Sequence, residues 1–174
     1  MKTVSWAKPN SYFQLLGTLY LLLNKIRHHG IMSVENDVEH PKESVLFNTI
    51  NEYDSTHEVV YIFVCDALRL MVSGNFNAED MQRYMTAYRK TSVLSREHAA
   101  LFDCVELTLM ATLHGNTPSV AVEYGRQGIL PEAKPTFQEL EDFIQIVKKG
   151  PEPTRENIDA RLEKFYTASK TEDS

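Results

Sequence analysis

Ser55–Gly74, STHEVVYIFVCDALRLMVSG, is the stretch whose reading decides the fold. Its middle, Val59–Val64, would pass alone for a buried β-strand. Three features decide for a helix of about 18 residues. The length exceeds a typical strand. Ser55-Thr-His-Glu58 has the form of a capping box, in which serine accepts from the third backbone N–H and glutamate reaches back. Asp66 and Arg69 stand three apart, where opposite charges meet on a helix surface. Because this helix is apolar on nearly every side, it is expected at the centre, surrounded by others.

Outward from it, the same helical grammar repeats. Upstream, Leu15, Leu19, Leu22 and Ile26 recur at spacings of four, three and four, and Tyr12, Leu16 and Leu23 widen the face. This helix opens at Asn10 or Ser11. Gly30 offers one end, but the periodicity resumes through Ile31 and Val34, and Pro41 is the first firm stop. One long helix to about Val38 is therefore expected. Ser44–Asn48 reads as a single turn. Downstream, Asn77 caps a helix to about Arg89, and Ser92 starts another that runs to Gly115. Thr117-Pro118 sets a cap before proline at the first helical position, where its missing N–H costs nothing. Thr136-Phe-Gln-Glu139 is a second capping box, leading into Phe137, Leu140, Ile144 and Val147. After the turn-formers Gly150-Pro-Glu-Pro153, Thr154 caps a last amphipathic helix with Ile158, Leu162 and Phe165. The expected fold is an all-α bundle of about six or seven helices over residues 1–168, with 169–174 a frayed tail. Phe13, Leu16, Leu19, Leu68, Leu101, Val105, Leu109, Leu140 and Ile144 are the expected core.

Composition narrows the function classes. The 174 residues carry a formal net charge of −6, with 43% hydrophobic and 24% charged residues. That is ordinary for a soluble globular chain, and a pI near 5.5 argues against a dedicated nucleic-acid binder. No run approaches the roughly 18 apolar residues of a membrane span; the nearest is Phe13–Leu23, broken by Gln14, Gly17 and Thr18. The start, MKTVSWAKPNS, lacks the apolar stretch of a signal peptide. Two cysteines, Cys65 and Cys104, make neither a disulfide framework nor a paired zinc site. On buried helices they act as small hydrophobes, and Asp66 disfavours a thiolate at Cys65. Asp37-x-x-His40 and Asp54-x-x-His57 imitate carboxylate–histidine spacing, but a di-iron bundle needs glutamates from two further helices. His28 and His29 are adjacent and point about 100° apart on a helix. His98 reads as a hydrogen-bonded packing residue. No cofactor or metal is expected.

The segment Lys25-Ile-Arg27-His-His-Gly-Ile-Met-Ser-Val-Glu35-Asn-Asp37 passes from basic to acidic. On a continuous helix Arg27 and Glu35 would lie about 80° apart around the axis and roughly 12 Å along it. That is too far for a mutual ion pair; by spacing alone the two read either as unrelated solvated charges or as a face for a partner helix of reversed polarity.

Tyr12–Gly74 closely resembles the first cytoplasmic region of the MotA family of flagellar motor stator proteins. The shared words are LLxxLYxLLxKIRxxGIMSVExDVExPxES, then FVCDALRLMVSGNFN. Asp103–Lys148 resembles the family's C-terminal cytoplasmic tail, through CVELTLMATLHGNTPSVAVEYGR and PTFQELE. Proteins of this family have four membrane helices, and five copies surround a MotB pair and conduct protons or sodium ions. Their cytoplasmic helices push on the rotor switch protein FliG. The family's rotor-contacting arginine falls on Arg27, and its partner glutamate on Glu35. The resemblance thus implies a torque-transmitting surface, no enzyme activity and no nucleic acid. Lys25, His28, Asp37 and Glu39 are neighbours without assigned roles.

The family's two membrane hairpins have no counterpart. Only seven residues precede Lys8, and YMTAYRKTSVLSREHAALFD stands where the second hairpin should be. The resemblance therefore implies two cytoplasmic segments, 12–83 and 96–149, joined near Met85–Tyr88 by engineering or in a soluble paralogue. Such a chain is expected to be cytoplasmic and monomeric or weakly self-associating, its parent lying in the inner membrane. The rival readings are a soluble helical adaptor and a metal-dependent helical-bundle enzyme.

Overall fold

The computed structural model describes residues 11–50, 55–74 and 77–148. The amphipathic helix and frayed tail expected after Pro153 lie outside these residues. Among the described residues there are eight α-helices and no strand: α1 (Ser11–His29), α2 (Glu35–Glu39), α3 (Val45–Asn48), α4 (Glu58–Val72), α5 (Ala78–Thr91), α6 (Arg96–Leu113), α7 (Pro118–Arg126) and α8 (Phe137–Lys148). The all-α expectation holds, and all nine residues expected in the core are buried.

The centre is α1 rather than α4. Every residue from Tyr12 to Leu23 is buried, including Gln14, Gly17 and Thr18. It is enclosed by α3, α6, α7 and α8. Helix α4 leans on α2 and α6 and leaves Ile62 45% exposed, so its apolar breadth does not make it a surrounded helix. Two glycines admit close approaches. A Cβ on Gly17 would lie 2.1 Å from Ile50 Cδ1, and one on Gly125 would lie 2.2 Å from Thr108 Oγ1 and 3.0 Å from the Cys104 carbonyl. Helix α7 therefore lies almost directly against the backbone of α6.

Local caps explain most boundaries. Asn77, Ser95 and Thr117 each accept from the backbone N–H three residues on. Thr136 and Glu139 form a reciprocal box, with Thr136 N donating to Glu139 Oε2 at 2.6 Å and Glu139 N to Thr136 Oγ1 at 3.2 Å. Two expectations need correction. The residues before α4 form a 3-10 turn, Ser55–His57, and the helix begins at Glu58 without a side-chain cap at His57. Helix α6 starts from Ser95 rather than Ser92, because Ser92 closes α5 through a bond from its hydroxyl to Tyr88 O.

Helix α5 crosses residues 85–88 without a break. Met81 and Met85 are wholly buried, while Tyr84 and Tyr88 pack against Phe63 of α4 and Tyr88 also against Phe102 of α6. Phe63 and Phe102 are themselves stacked at 4.5 Å. Between the two family-like segments, Met85 is therefore a core residue and Tyr84, Tyr88 and Leu94 pack against the core, while Val93 is fully exposed.

Candidate functional site

The expected long first helix is interrupted, and the interruption builds the site. Helix α1 ends at His29, and Gly30 takes φ 83°, ψ 165°, a combination reserved almost wholly for glycine. The chain then makes a 3-10 turn, Ile31–Val34, and enters α2. Ser33 secures the turn through its amide (3.1 Å) and hydroxyl (2.6 Å) on Gly30 O, and Val34 plugs into the core fully buried. The apolar residues that seem to continue α1 instead face the core from a second direction. The 12 Å axial separation of Arg27 and Glu35, roughly that of a continuous helix, therefore does not apply.

Charges tie the turn down. Asp37, 7% exposed, accepts from Lys25 Nζ at 2.8 Å and from Ser44 Oγ at 2.6 Å. Ser44 in turn caps α3 by accepting from Leu46 N. From α4, Arg69 donates to Glu39, to Asp66 and to the Val38 carbonyl, each at 2.8 Å. The Asp66/Arg69 pair expected from sequence is present, but the larger role of Arg69 is to hold α2. His28 Nδ1 bonds Asn24 O at 2.8 Å.

Arg27 and Glu35 are both exposed, one on the last turn of α1 and the other opening α2. Neither makes a side-chain hydrogen bond or ion pair with a described residue, whereas Lys25, Asp37 and Glu39 are engaged. Between them in sequence stands Met32, 57% exposed, which no pattern in the sequence singles out. A long, polarizable side chain left in solvent at a fixed turn is a ready contact for a partner. Beside the turn runs a groove of about 630 Å³, lined by Tyr20, Lys25, His28, Asn36, Asp37 and Val45 among others.

The remaining candidates fall elsewhere. Asp37 is occupied by Lys25 and Ser44, while His40 faces Glu43 at 3.8 Å. Asp54 lies outside the described residues. His57 stands edge-on to His98, with ring centres 5.4 Å apart, and His98 Nε2 bonds Thr56 O at 3.2 Å, as a packing histidine would. Among the described residues no group of three or more His, Cys, Asp or Glu is placed to hold a metal. Cys65 and Cys104 are buried and free. Burial pushes both thiols up to about 12, with Asp66 and Asp103 respectively adding to the shift. Thiols so placed stay protonated and unreactive at neutral pH. No described helix is long and apolar enough to cross a membrane.

Comparison with known proteins agrees with the pattern of shared words. The chain is 25% identical to Motility protein A of Salmonella typhimurium (strain LT2) over 211 aligned positions, covering 79% of this chain and 71% of that protein. It is 24% identical to Motility protein A of Escherichia coli (strain K12) over 217 positions, covering 82% and 73%. The chain is a relative of motility protein A. Because 211 aligned positions draw on only 79% of a 174-residue chain, stretches of the Salmonella motility protein A within that span have no counterpart here. No family model and no solved structure matches the chain.

Proposed function

We propose that this chain is the rotor-facing, cytoplasmic part of a flagellar motor stator protein, working mechanically rather than as an enzyme. In this reading Arg27 and Glu35 engage oppositely charged groups on a helix of the rotor switch protein FliG. Ion conduction belongs to the membrane part of the parent protein, which surrounds MotB in the inner membrane. The two family-like segments are joined through α5, and the joined chain is monomeric or weakly self-associating.

The observation that carries the reading is the division of charge around the turn. Lys25, Asp37 and Glu39 are paired, whereas Arg27 and Glu35 stand exposed on either side of Gly30 with no ionic partner among the described residues. Opposite charges left open on a clamped scaffold steer and orient a charged partner. The test is binding of purified rotor switch protein at low salt, where exposed charges are least screened. Arg27→Glu combined with Glu35→Arg should abolish binding of the native partner while leaving the melting temperature unchanged. Undiminished binding by that variant would remove the proposed surface.

A further inference from the structure

We propose that the Lys25–Asp37 ion pair is a strut that sets the separation and outward direction of Arg27 and Glu35, making Lys25 and Asp37 positioning residues for the partner contact. The inference rests on the rotor-contact reading of Arg27 and Glu35 and adds to it the device that holds them in register.

Lys25 lies two residues before Arg27, and Asp37 two residues after Glu35. On a helix, two positions are about 200° around the axis and only about 3 Å along it. Neighbours so spaced point in nearly opposite directions. Drawing Lys25 inward toward α2 therefore projects Arg27 outward, and drawing Asp37 inward projects Glu35 outward. The exposures agree: the Asp37 side chain is 10% and that of Lys25 36% exposed, while Arg27 and Glu35 are both open to solvent.

The bond between the two inward residues is short, 2.8 Å, and it spans the Gly30 break. Its acidic end is fixed in turn. Ser44 holds the second Asp37 oxygen at 2.6 Å, and Arg69 holds the Val38 carbonyl one residue further on. No continuous helix joins Arg27 to Glu35, so their relative placement depends on such links across the turn. The strut also simplifies the charge pattern. By neutralising one cation and one anion internally, it leaves Arg27 and Glu35 as the outward-facing members of the two charged pairs.

The test uses the full 174-residue chain with spin labels on introduced cysteines at positions 27 and 35, read by pulsed electron spin resonance. Cys65 and Cys104 are 2% and 0% exposed, so the reagent reaches the introduced thiols first. The labelled distance should be narrowly distributed in the parent and in Lys25→Arg, which keeps a donor. It should broaden in Lys25→Met, which keeps the bulk and loses the charge. In the unlabelled chain, Lys25→Met should weaken binding of the rotor switch protein several-fold, and Lys25→Arg should restore it, with melting temperatures alike. Should Lys25→Met fail to fold, Asp37→Asn reads the same distance, because it retains an acceptor for Ser44. An unchanged distribution in the charge-removing variant would overturn the strut. Absence of binding by the parent chain would instead overturn the rotor reading, and the distance measurement would still decide the strut.

Discussion

Helix α1 belongs to two regions of the molecule that are held by different physics. From Tyr12 to Leu23 every residue is buried against neighbouring helices, and shape decides the fit. From Asn24 to His29 the same helix is half-buried or exposed, and its partners are carboxylates and carbonyls. The apolar body extends through the Phe63–Phe102–Tyr88 cluster and the close α6–α7 contact at Gly125. The polar turn continues through Gly30, Asp37 and Arg69. The difference teaches where change should be felt. Alterations in the body are resisted by close packing and lower stability. Alterations to the exposed charges of the turn change what it presents with little loss of stability, and only a change at its backbone hinge, Gly30, should cost more.

Alkaline titration should break the body most. Cys65, Cys104 and Tyr12 are all pushed up to about 12 by burial. In the unfolded chain the thiols ionise near 8.5 and tyrosine near 10, roughly their model-peptide values. Above those values the unfolded state has lost protons that the folded state keeps, so stability falls as pH rises. The loss should reach about 1.4 kcal/mol per pH unit from each group between its unfolded and folded values. Denaturant midpoints measured from about pH 8 to 11, the window in which these groups ionise when unfolded, should fall progressively. A flat profile would show that these groups are accessible in the native chain.

Gly125→Ala should come next, at about 3 kcal/mol, the upper part of the usual overpacking range. The added Cβ would meet Thr108 Oγ1 at 2.2 Å, Leu16 Cδ2 at 2.7 Å and the Cys104 carbonyl at 3.0 Å. Leucine can turn aside, but the carbonyl belongs to the α6 backbone, and Thr108 Oγ1 is already bonded to it at 2.7 Å. Thr108→Ala should relieve part of the penalty. A thermodynamic cycle on the two substitutions should therefore be non-additive.

How much of the molecule is legible in its sequence depends on the range of the determining interaction. The starts of α5, α7 and α8 follow from caps that act over three residues: Asn77, Thr117, and the Thr136/Glu139 box. The end of α1 is not legible in this way, because Ile31, Val34 and Val38 fall at helical spacing although they bury after the chain has turned. Gly30 is the available sign, and the resumed periodicity masks it. The central place of α1 is hidden for a related reason. Gln14 and Thr18 lower its apparent apolarity, yet both are buried. At the site, Arg27 and Glu35 stand out through family resemblance alone, because an exposed charge leaves no periodic trace. Lys25 with Asp37 and Arg69 with Glu39 are 12 and 30 residues apart, beyond any local spacing rule.

Gly30→Ala should have the smallest effect on stability and the clearest origin. Nothing lies within 4 Å of a Cβ built there, so overpacking cannot contribute. The cost comes from holding alanine at φ 83°, ψ 165°, about 2 kcal/mol for such a conformation. Thermal unfolding should register that loss, and it should add simply to the loss from Gly125→Ala, because one substitution strains backbone and the other crowds side chains. Binding should fall further than stability does, since relief of the strain must rotate α2 against α1 and displace Glu35 relative to Arg27. If the alanine variant kept both its melting temperature and its partner binding, the turn would be soft. The contrast between a shape-fixed body and a charge-fixed turn would then fail at the residue that separates them.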